Sequence, residues 1–300
     1  MKIINDKEIE KLNISNQQIL EWVKLAFLSK KDSLLPHKVS ITFDEGTKFY
    51  NTMPTIMPTI SSSGVKIVSR YPERHPSIQG HILLYELIDG TPLAMMDATW
   101  ITAKRTGAVA YLALKTLAKK DFQSVAVIGL GQTGQSFLEM FMSDKANQSK
   151  LIKLKNYKNH TTKIVEQLRM NGFNNIEICE NNQTLIENSD VIVSAVTFSG
   201  ELIGKDEWYK LGVLVIPIHT RGFQNCDLFF DRVFADDVEH VRDFKHFDKF
   251  KNFTELDKVL HKEKTGRISD EERILSYNIG IALHDIYIAR MIFNKISIDD

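Results

Sequence analysis

A glycine-rich loop near the middle of the chain limits its possible folds more than any other feature. The apolar, β-branched run Ser124–Ile128 leads directly into Gly129-Leu-Gly131-Gln-Thr-Gly134, and helical spacing follows over 136–141. In this pattern the first glycine permits a tight turn, the second lets the backbone approach a pyrophosphate, and the third lets helix and strand pack closely. The helix N-terminus offers unpaired N–H groups to the anion. A plain strand-to-helix turn is the alternative, but the context favours a dinucleotide site.

The sequence after this loop alternates between short apolar runs and helical spacing. Strands are predicted at Leu151–Leu154, Ile176–Ile178, Val191–Ala195, Val213–Ile218 and Phe229–Phe234, and a helix at Lys163–Met170. Such alternation is typical of a doubly wound sheet. We therefore predict an α/β fold whose Rossmann-type, doubly wound parallel sheet lies within residues 121–267.

The remaining residues have a different pattern. Residues 1–120 contain a predicted helix at Gln17–Leu28, several turn signals, and an Ala- and Leu-rich helix at Ile101–Leu117. Near the other end, Glu271–Phe293 has isoleucines at helical spacing and is long enough to pack back on the first segment. We predict a second, discontinuous α+β domain formed by residues 1–120 and 268–300.

Composition narrows the class of partner. Lys plus Arg and Asp plus Glu are each 38, so neither a nucleic-acid surface nor a polybasic membrane patch is indicated; the charged stretch Lys245–Lys264 is expected at the surface. Cys179 and Cys226 are too few for a disulfide framework or a four-thiolate zinc site, which suits a reducing compartment. No secretory signal is evident, and no apolar run nears the roughly 18 to 20 residues that span a bilayer. We expect a soluble, cytoplasmic protein that acts on a small molecule.

The end of the second predicted Rossmann strand bears on the choice of dinucleotide. An acid that binds the ribose 2′-hydroxyl of NAD is expected there, but this chain reads Leu154-Lys-Asn156-Tyr-Lys158. Lys155 and Lys158 would attract the 2′-phosphate of NADP, and a solvated rim of lysines is the alternative. NADP is slightly favoured over NAD.

Three segments together resemble the ornithine cyclodeaminase and mu-crystallin family. They are Met53-Pro-Thr with Gly64-Val-Lys66-Ile-Val-Ser69, Gly90-Thr-Pro-Leu-Ala94 through Ile101-Thr-Ala-Lys-Arg105-Thr106, and the glycine loop. The resemblance continues to Ser276-Tyr-Asn278-Ile-Gly280, and its Thr-x-x-Arg-Thr element before a Rossmann strand is the most specific part. A subgroup that makes 2,3-diaminopropionate by NAD-dependent oxidative cleavage of an amino-acid conjugate is also similar. It likewise has glycine at Gly134, where most members have alanine.

The resemblance implies that the first domain binds substrate and forms a homodimer, and that the second holds the dinucleotide. Lys66 would lie beside the substrate carboxylate or act on the amine or imine, with Lys38 and Met53 nearby; Lys38 stands where most members have an arginine. Arg105 and Thr106 would meet the cofactor phosphates, and Asn278 would lie near the nicotinamide. The other expected cofactor contacts are Gly129, Gly131, Gln132, Thr133, Gly134, Asn156, Lys158, Val196 and Thr197.

The sequence itself also bears on the roles of Arg105 and Lys66. Arg105 lies among Ala, Val and Leu in its predicted helix, and a buried guanidinium needs an anion; exposure to solvent or a pairing with Asp97 are the alternatives. Lys66 alternates with Val65 and Ile67 in a predicted strand, so without the resemblance it would be expected to point outward.

A departure from the family affects the predicted chemistry. After the fifth Rossmann strand, ornithine cyclodeaminases carry a catalytic aspartate in a glycine-rich turn, whereas this chain reads His219-Thr-Arg221-Gly222, and the aspartate position falls on Arg221. Arg221 would bind an anion rather than an ammonium group. His219 is a candidate proton carrier near neutral pH, although a histidine at a strand end is more often structural.

These features favour an NAD(P)-dependent oxidoreductase that acts on a C–N bond of a small amino or imino acid, as a ketimine reductase or an amino-acid dehydrogenase. In this interpretation the catalytic residues are Lys66, His219 and Arg221, and Arg221 also binds substrate. A redox-neutral cyclodeaminase is one alternative. A dinucleotide-binding protein of the mu-crystallin kind with little turnover is another, because an intact glycine loop with an altered catalytic turn fits either new specificity or lost catalysis.

Overall fold

A computed structural model describes residues 1–156, 160–196, 202–219 and 222–299. The chain divides into two compact units, Met1–Arg105 with Ile281–Asp300, and Thr106–Gly280. The sequence predicted boundaries after residues 120 and 267, whereas residues 106–120 and 268–280 belong to the second unit. The first boundary falls within one continuous helix, α3 (Thr99–Leu117).

The first unit is a six-stranded mixed sheet with helices. Its elements are β1 (Lys2–Ile4), α1 (Asp6–Lys11), α2 (Asn16–Leu28), β2 (Val39–Phe43), β3 (Lys48–Met57), β4 (Ser62–Arg70), β5 (Ile78–Glu86), β6 (Pro92–Asp97) and, last in the chain, α8 (Ala282–Asp299). The strand order is β1-β6-β5-β4-β3-β2, parallel between β1 and β6 and antiparallel elsewhere. Capping oxygens of Asn5 and Ser15 accept backbone N–H bonds and begin α1 and α2.

The strand register gives the central strands of this sheet two distinct faces. On one face the side chains are buried, including those of Met53, Lys66 and Ile82, which pair across β3, β4 and β5. Helix α8 packs on these three strands. Gly64 makes room for the helix, since an added Cβ there would lie 2.7 Å from the Cδ1 atom of Ile286. The covered face therefore lies where α8 meets the sheet.

The second unit contains the predicted parallel sheet. Its elements are β7 (Ser124–Ile128), α4 (Gln132–Ser143), β8 (Leu151–Lys155), α5 (His160–Met170), β9 (Ile176–Cys179), α6 (Asn182–Ile186), β10 (Val191–Ser194), β11 (Leu214–Pro217), β12 (Arg232–Ala235), β13 (Thr254–Glu255), α7 (Leu256–Leu260) and β14 (Ile274–Tyr277). The order is β13-β12-β14-β11-β10-β7-β8-β9, with each pair parallel. The α/β class with a doubly wound parallel sheet is confirmed.

Two expectations about the C-terminal third are wrong. Glu271–Phe293 was expected to be helical throughout, but Ile274–Tyr277 is a fully buried strand between β11 and β12, and α8 begins only at Ala282. The apolar run is as compatible with a buried strand as with a helix, and burial on both faces decides the outcome. The stretch Lys245–Lys264 is not merely a charged surface, because Phe247, Phe250 and Phe253 pack against the hydrophobic core.

Candidate functional site

The glycine loop joins β7 to α4 as the sequence predicted. Gly131 is the N-cap of α4 and provides no side-chain cap, so the first N–H groups of a 12-residue helix have no capping oxygen. Upstream, the Leu130 carbonyl accepts a 3.0 Å hydrogen bond from the Gln135 side chain, which helps to fix the loop. This arrangement suits an anion at the helix N-terminus.

Each glycine of the loop has its own steric reason. Gly129 has φ +90°, and an added Cβ would lie 2.8 Å from the backbone of Ala195 at the end of β10. At Gly134 an added Cβ would lie 2.1 Å from the Gly129 carbonyl oxygen. At Gly131 it would meet nothing within 4 Å. Two glycines therefore permit close packing, whereas the space beside Gly131 is open and would admit a phosphate group.

The switch point of the sheet lies beside this loop. Strands β7 and β10 are adjacent, yet the chain leaves them toward opposite sides of the sheet order, and ligands of such sheets bind at this point. The Ala195 N–H donates to the Ile128 carbonyl at 2.7 Å, and the half-buried Val196 follows. Thr197, the next predicted cofactor contact, lies outside the described residues.

The ribose end of the predicted site follows β8. The Lys155 ammonium donates a 2.9 Å hydrogen bond to the Asn182 side-chain oxygen. The backbone N–H of Asn156 donates to the Cys179 carbonyl at 3.3 Å. Lys158 lies outside the described residues. Of the two lysines on which the expectation of NADP rests, Lys155 therefore already has a protein partner.

His219 lies at the carboxyl edge of the parallel sheet, just after β11. Its Nε2 atom is 2.7 Å from the Ser194 hydroxyl, at the end of β10. This contact orients the imidazole ring and ties its tautomer to the Ser194 hydroxyl. Thr220 and Arg221 lie outside the described residues.

Asn278 follows β14 at the same carboxyl edge. Its side chain is fully buried and donates to the Ser276 carbonyl at 2.8 Å. Its backbone N–H bonds to the Pro217 carbonyl at 2.9 Å, and its side-chain oxygen accepts no hydrogen bond from the described residues. The Gly280 N–H donates to the buried Asp236 carboxylate. The segment that follows β14 is thus held firmly.

In the first unit the structure forms a buried ionic cluster from three residues. Lys66 on β4 and Arg105 on α3 both donate to one oxygen of Asp285 on α8: Lys66 Nζ lies 2.7 Å and Arg105 Nε 3.1 Å from Asp285 Oδ1. The Lys66 and Asp285 side chains are 0% exposed and that of Arg105 is 5% exposed. Lys66 therefore points into the covered face of the sheet, and the partner of Arg105 is Asp285 rather than Asp97.

This cluster carries one net positive charge in a desolvated site. Burial and the positive charge of Arg105 both lower the pKa of Lys66, and the Asp285 carboxylate opposes them; the net result is a pKa lowered to about 8. Arg105 Nη1 and Asp285 Oδ2 are buried and have no hydrogen-bond partner among the described residues. The guanidinium can therefore donate to an added anion, and the carboxylate can accept from an added donor.

The other predicted residues of the first domain lie around this cluster or apart from it. Met53 is the cross-strand partner of Lys66 and packs with Val68 and Ala282. Lys38 is half-buried just before β2, and Thr106 is buried directly after Arg105 in α3. Only Met53 thus shares the covered face of the sheet with Lys66.

Sequence reasoning missed Asp285, although a signal was present. In α8 it falls between Ile281 and Ile288, at the helical spacing of the apolar stripe that was identified there. A carboxylate on an otherwise apolar stripe is rarely buried without a cationic partner. The pattern therefore held evidence for a buried pair.

The described part of the chain offers neither a metal-binding cluster nor a membrane-spanning helix. Within the described residues, no group of three or more His, Cys, Asp or Glu side chains could hold a metal ion. None of the described helices is long and apolar enough to cross a membrane.

The chain is similar in sequence and in structure to known reductases and dehydrogenases. A Δ1-pyrroline-2-carboxylate reductase from Bacillus cereus is 24% identical over 98% of this chain and 96% of that protein. N-((2S)-2-amino-2-carboxyethyl)-L-glutamate dehydrogenase from Staphylococcus aureus is 25% identical over 72% of this chain and 68% of that protein. Among solved structures, Thermococcus litoralis Δ1-pyrroline-2-carboxylate reductase in complex with NADH and L-proline has a TM-score of 0.87 and 25% identity, and covers 100% of this chain and 98% of its own.

The family comparison agrees with the resemblance in the sequence. The model of the ornithine cyclodeaminase/mu-crystallin family matches residues 2–299. Because this match covers nearly the whole sequence, the chain belongs to the ornithine cyclodeaminase/mu-crystallin family.

Proposed function

We propose that this protein is a nicotinamide dinucleotide-dependent oxidoreductase that reduces the C=N bond of a small imino acid to the amine. The buried ammonium group of Lys66 is the observation that carries the proposal. Reduction of a C=N bond needs a hydride at carbon and a proton at nitrogen, and Lys66, whose pKa is lowered to about 8, can hold and release that proton near neutral pH. The names of the reductases and dehydrogenases to which the chain is similar support the reaction class.

The glycine loop is the proposed dinucleotide site. The open space at Gly131 and the uncapped α4 N-terminus, which begins with Gln132 and Thr133, fit a pyrophosphate. The bound dinucleotide would supply the hydride. The proposed preference for NADP over NAD depends mainly on Lys158, because the Lys155 ammonium group is bound by Asn182. Val196, Thr197 and Asn278 are the further proposed contacts.

The ionic cluster is the proposed site for the substrate carboxylate. Arg105 Nη1 has no partner among the described residues, and two cations share one carboxylate oxygen, so an added carboxylate would neutralise the remaining charge. In this proposal Arg105, which the resemblance assigns to the cofactor phosphates, serves the substrate instead, because its other contact is shared with Lys66. Met53 and Lys38 are the other proposed substrate contacts.

His219 and Arg221 are the other proposed catalytic residues. His219, oriented by Ser194, is a second candidate for moving a proton. By the resemblance, Arg221 stands in place of the catalytic aspartate of the cyclodeaminases, so an anionic tail on the substrate would gain from it. Ornithine, with its cationic side chain, would not.

A direct assay tests this function. Purified protein is mixed with NADH or NADPH and with 1-pyrroline-2-carboxylate or a dicarboxylic imino acid, and loss of the reduced cofactor is followed by absorbance. We expect cofactor-dependent turnover of an imino acid and no useful conversion of ornithine to proline. Cofactor binding without turnover of any imino acid would instead support a binding protein, and robust proline formation would support a cyclodeaminase.

We further propose a cytoplasmic homodimer. Cys179 and Cys226 are both buried free thiols, as is usual in a reducing compartment. The first unit carries a second apolar sheet face, opposite the one that α8 covers, and this is the proposed dimer surface.

A further inference from the structure

We propose that Asp285 is a positioning residue of the active site, which holds Lys66 in its charged form and fixes the direction of Arg105 through one shared oxygen atom. The inference rests on the proposed function, in which Lys66 and Arg105 act on the substrate. Asp285 itself is given no contact with the reacting atoms. Its effect would be transmitted through the two cations that it holds.

The geometry distinguishes Asp285 from an ordinary partner of an ion pair. Both cations donate to Oδ1, Lys66 at 2.7 Å and Arg105 at 3.1 Å, while Oδ2 accepts no hydrogen bond from the described residues. A buried carboxylate oxygen without a partner is costly, so Oδ2 can accept from a group that the described residues do not supply. Sharing one oxygen keeps the two cationic groups close together.

The groups that face the Lys66 ammonium come from a few elements. Asp285 reaches it from α8 and Arg105 from α3, while its cross-strand neighbours on β3 and β5, Met53 and Ile82, are apolar. His284 precedes Asp285 on α8, and its ring packs 4.4 Å from that of Phe27 on α2. Among these groups only the Asp285 carboxylate favours the charged form of Lys66.

Removal of this charge has a specific consequence. Burial and Arg105 lower the pKa of Lys66, and only Asp285 raises it. Asp285→Asn keeps an oxygen that can accept from both donors but loses the negative charge, so the Lys66 pKa should fall further. Lys66 would then release its proton at a pH at which the parent enzyme still holds it.

Glu86 offers a matched control on the same helix and sheet. Its Oε2 atom accepts from both terminal nitrogens of Arg290 at 3.2 Å, and thus forms another carboxylate bridge between the sheet and α8. It belongs to no proposed substrate or cofactor contact. Glu86→Gln removes a charge from the same interface without touching the cluster.

The experiment compares pH profiles of kcat/KM for reduction of 1-pyrroline-2-carboxylate in the parent protein, Asp285→Asn, Asp285→Glu and Glu86→Gln. We expect the alkaline limb of Asp285→Asn to move about one pH unit or more lower, with roughly tenfold lower kcat/KM at pH 8 and recovery toward pH 6. Asp285→Glu should restore the limb toward its original position, and Glu86→Gln should leave it in place. An active Asp285→Asn variant with an unmoved limb would overturn the inference, as would an equal shift in Glu86→Gln.

Thermal unfolding between pH 6 and 10 gives a second readout that needs no activity. Because Lys66 has a lower pKa in the folded protein than in the unfolded chain, its contribution makes stability rise with pH above about 8. In Asp285→Asn this rise should begin at a lower pH, and Glu86→Gln should match the parent. If the parent protein reduces no imino acid, the proposed function fails, and this comparison still decides whether Asp285 controls Lys66. If stability begins to rise at the same pH in folded Asp285→Asn as in the parent, Asp285 does not hold Lys66 in its charged form.

Discussion

Two buried aspartates of the second unit respond to pH in opposite ways. Both carboxylate oxygens of Asp227 lack a hydrogen-bond partner among the described residues, and its pKa is raised to about 6 because burial outweighs the opposing effect of the nearby His246. Burial also acts on Asp190, but the N–H of Gln123 and the ammonium groups of Lys210 and Lys119 outweigh it, so the pKa of Asp190 is lowered. The ionised form of Asp227 is therefore destabilised by its surroundings, whereas the ionised form of Asp190 is stabilised.

We predict that Asp227→Asn changes the pH dependence of stability. The raised pKa means that the folded protein binds a proton more tightly, so the stability contribution of Asp227 is present at low pH and is lost as the pH rises through about 6. Between pH 5 and pH 8 the parent should lose about 1 kcal/mol of unfolding free energy that the variant keeps. Urea unfolding at these two pH values measures the difference.

Asp190→Asn provides the contrast. Its lowered pKa keeps the carboxylate ionised in both states over this range, so its contribution is lost only when the pH falls well below 5. The variant should lose about 2 kcal/mol at both pH 5 and pH 8, because the half-buried Lys119 and Lys210 and two backbone N–H groups lose their charged acceptor. If the stability of the two variants depends on pH in the same way, Asp227 and Asp190 do not have opposite pKa shifts.

A third prediction at the residue scale concerns Arg105. If its Nη1 atom binds the substrate carboxylate, Arg105→Ala should raise the substrate KM by roughly 30-fold or more, the effect of removing one partner from a desolvated ion pair. The dissociation constant of NADH, measured by fluorescence, should change by less than about threefold. Weaker NADH binding with an unchanged KM would instead return Arg105 to the cofactor phosphates, as the resemblance implies.

Sequence reasoning reached some residues of the site more readily than others. Glycines with fixed spacing can be read directly, because each answers a local steric need within one loop. The Lys66 contact with Asp285 joins residues 219 positions apart, and the local sequence of β4 does not predict it. The helical spacing of α8 provides a clue only once its isoleucines are known to face the sheet.

At the scale of elements, the β7–loop–α4 unit makes a prediction that separates packing from ligand binding. Gly131→Ala should leave the melting temperature nearly unchanged, because its added Cβ meets nothing within 4 Å and the residue has an ordinary φ of −74°. It should nevertheless lower affinity for NADH by about tenfold or more, since the new methyl group would occupy the space proposed for the pyrophosphate.

Gly134→Ala should show the opposite pattern, with a larger effect on stability than on NADH affinity. Its Cβ would lie 2.1 Å from the Gly129 carbonyl oxygen, so backbone must shift, at a cost of about 1 to 3 kcal/mol. Calorimetry and NADH titration of both variants test the pair. Unchanged NADH affinity in Gly131→Ala would remove the loop from the proposed cofactor site.

The strands of the Rossmann sheet could be predicted along the chain as far as β12, because each is a short apolar run; the predicted Phe229–Phe234 overlaps the observed Arg232–Ala235. Strand β14 could not be foreseen, because Ile274–Tyr277 enters the sheet between β11 and β12, two strands that precede it in the chain. Nothing local in the sequence encodes an insertion of that kind; it follows from which strand edges remain to be paired.

At the scale of the whole molecule, the sheet of the first unit has a second apolar face. The register aligns Val65 with Pro54 on one side and with Leu83 and then Met95 on the other. These side chains are only half-buried, and on the edge strand Val39 and Ile41 are 62% and 58% exposed. A groove of about 680 Å³ at one end of this face is lined by Leu34, Ile56 and Tyr85, among others. A contiguous apolar surface of this kind indicates a protein interface.

We expect two copies to associate through this face. The two-fold symmetry of a homodimer presents the same patch twice, and an apolar face is complementary to itself. Light scattering coupled to size-exclusion chromatography should therefore give about twice the chain mass of 34.4 kDa.

Leu83→Lys places a charge at the centre of the face and should shift the protein to the monomer. Ile88→Lys is the matched control, because Ile88 is 86% exposed in the turn between β5 and β6 and not on a strand of the face, and should leave the dimer intact. A monomeric parent protein, or equal behaviour of the two lysine variants, would show that copies of this chain do not associate through the sheet.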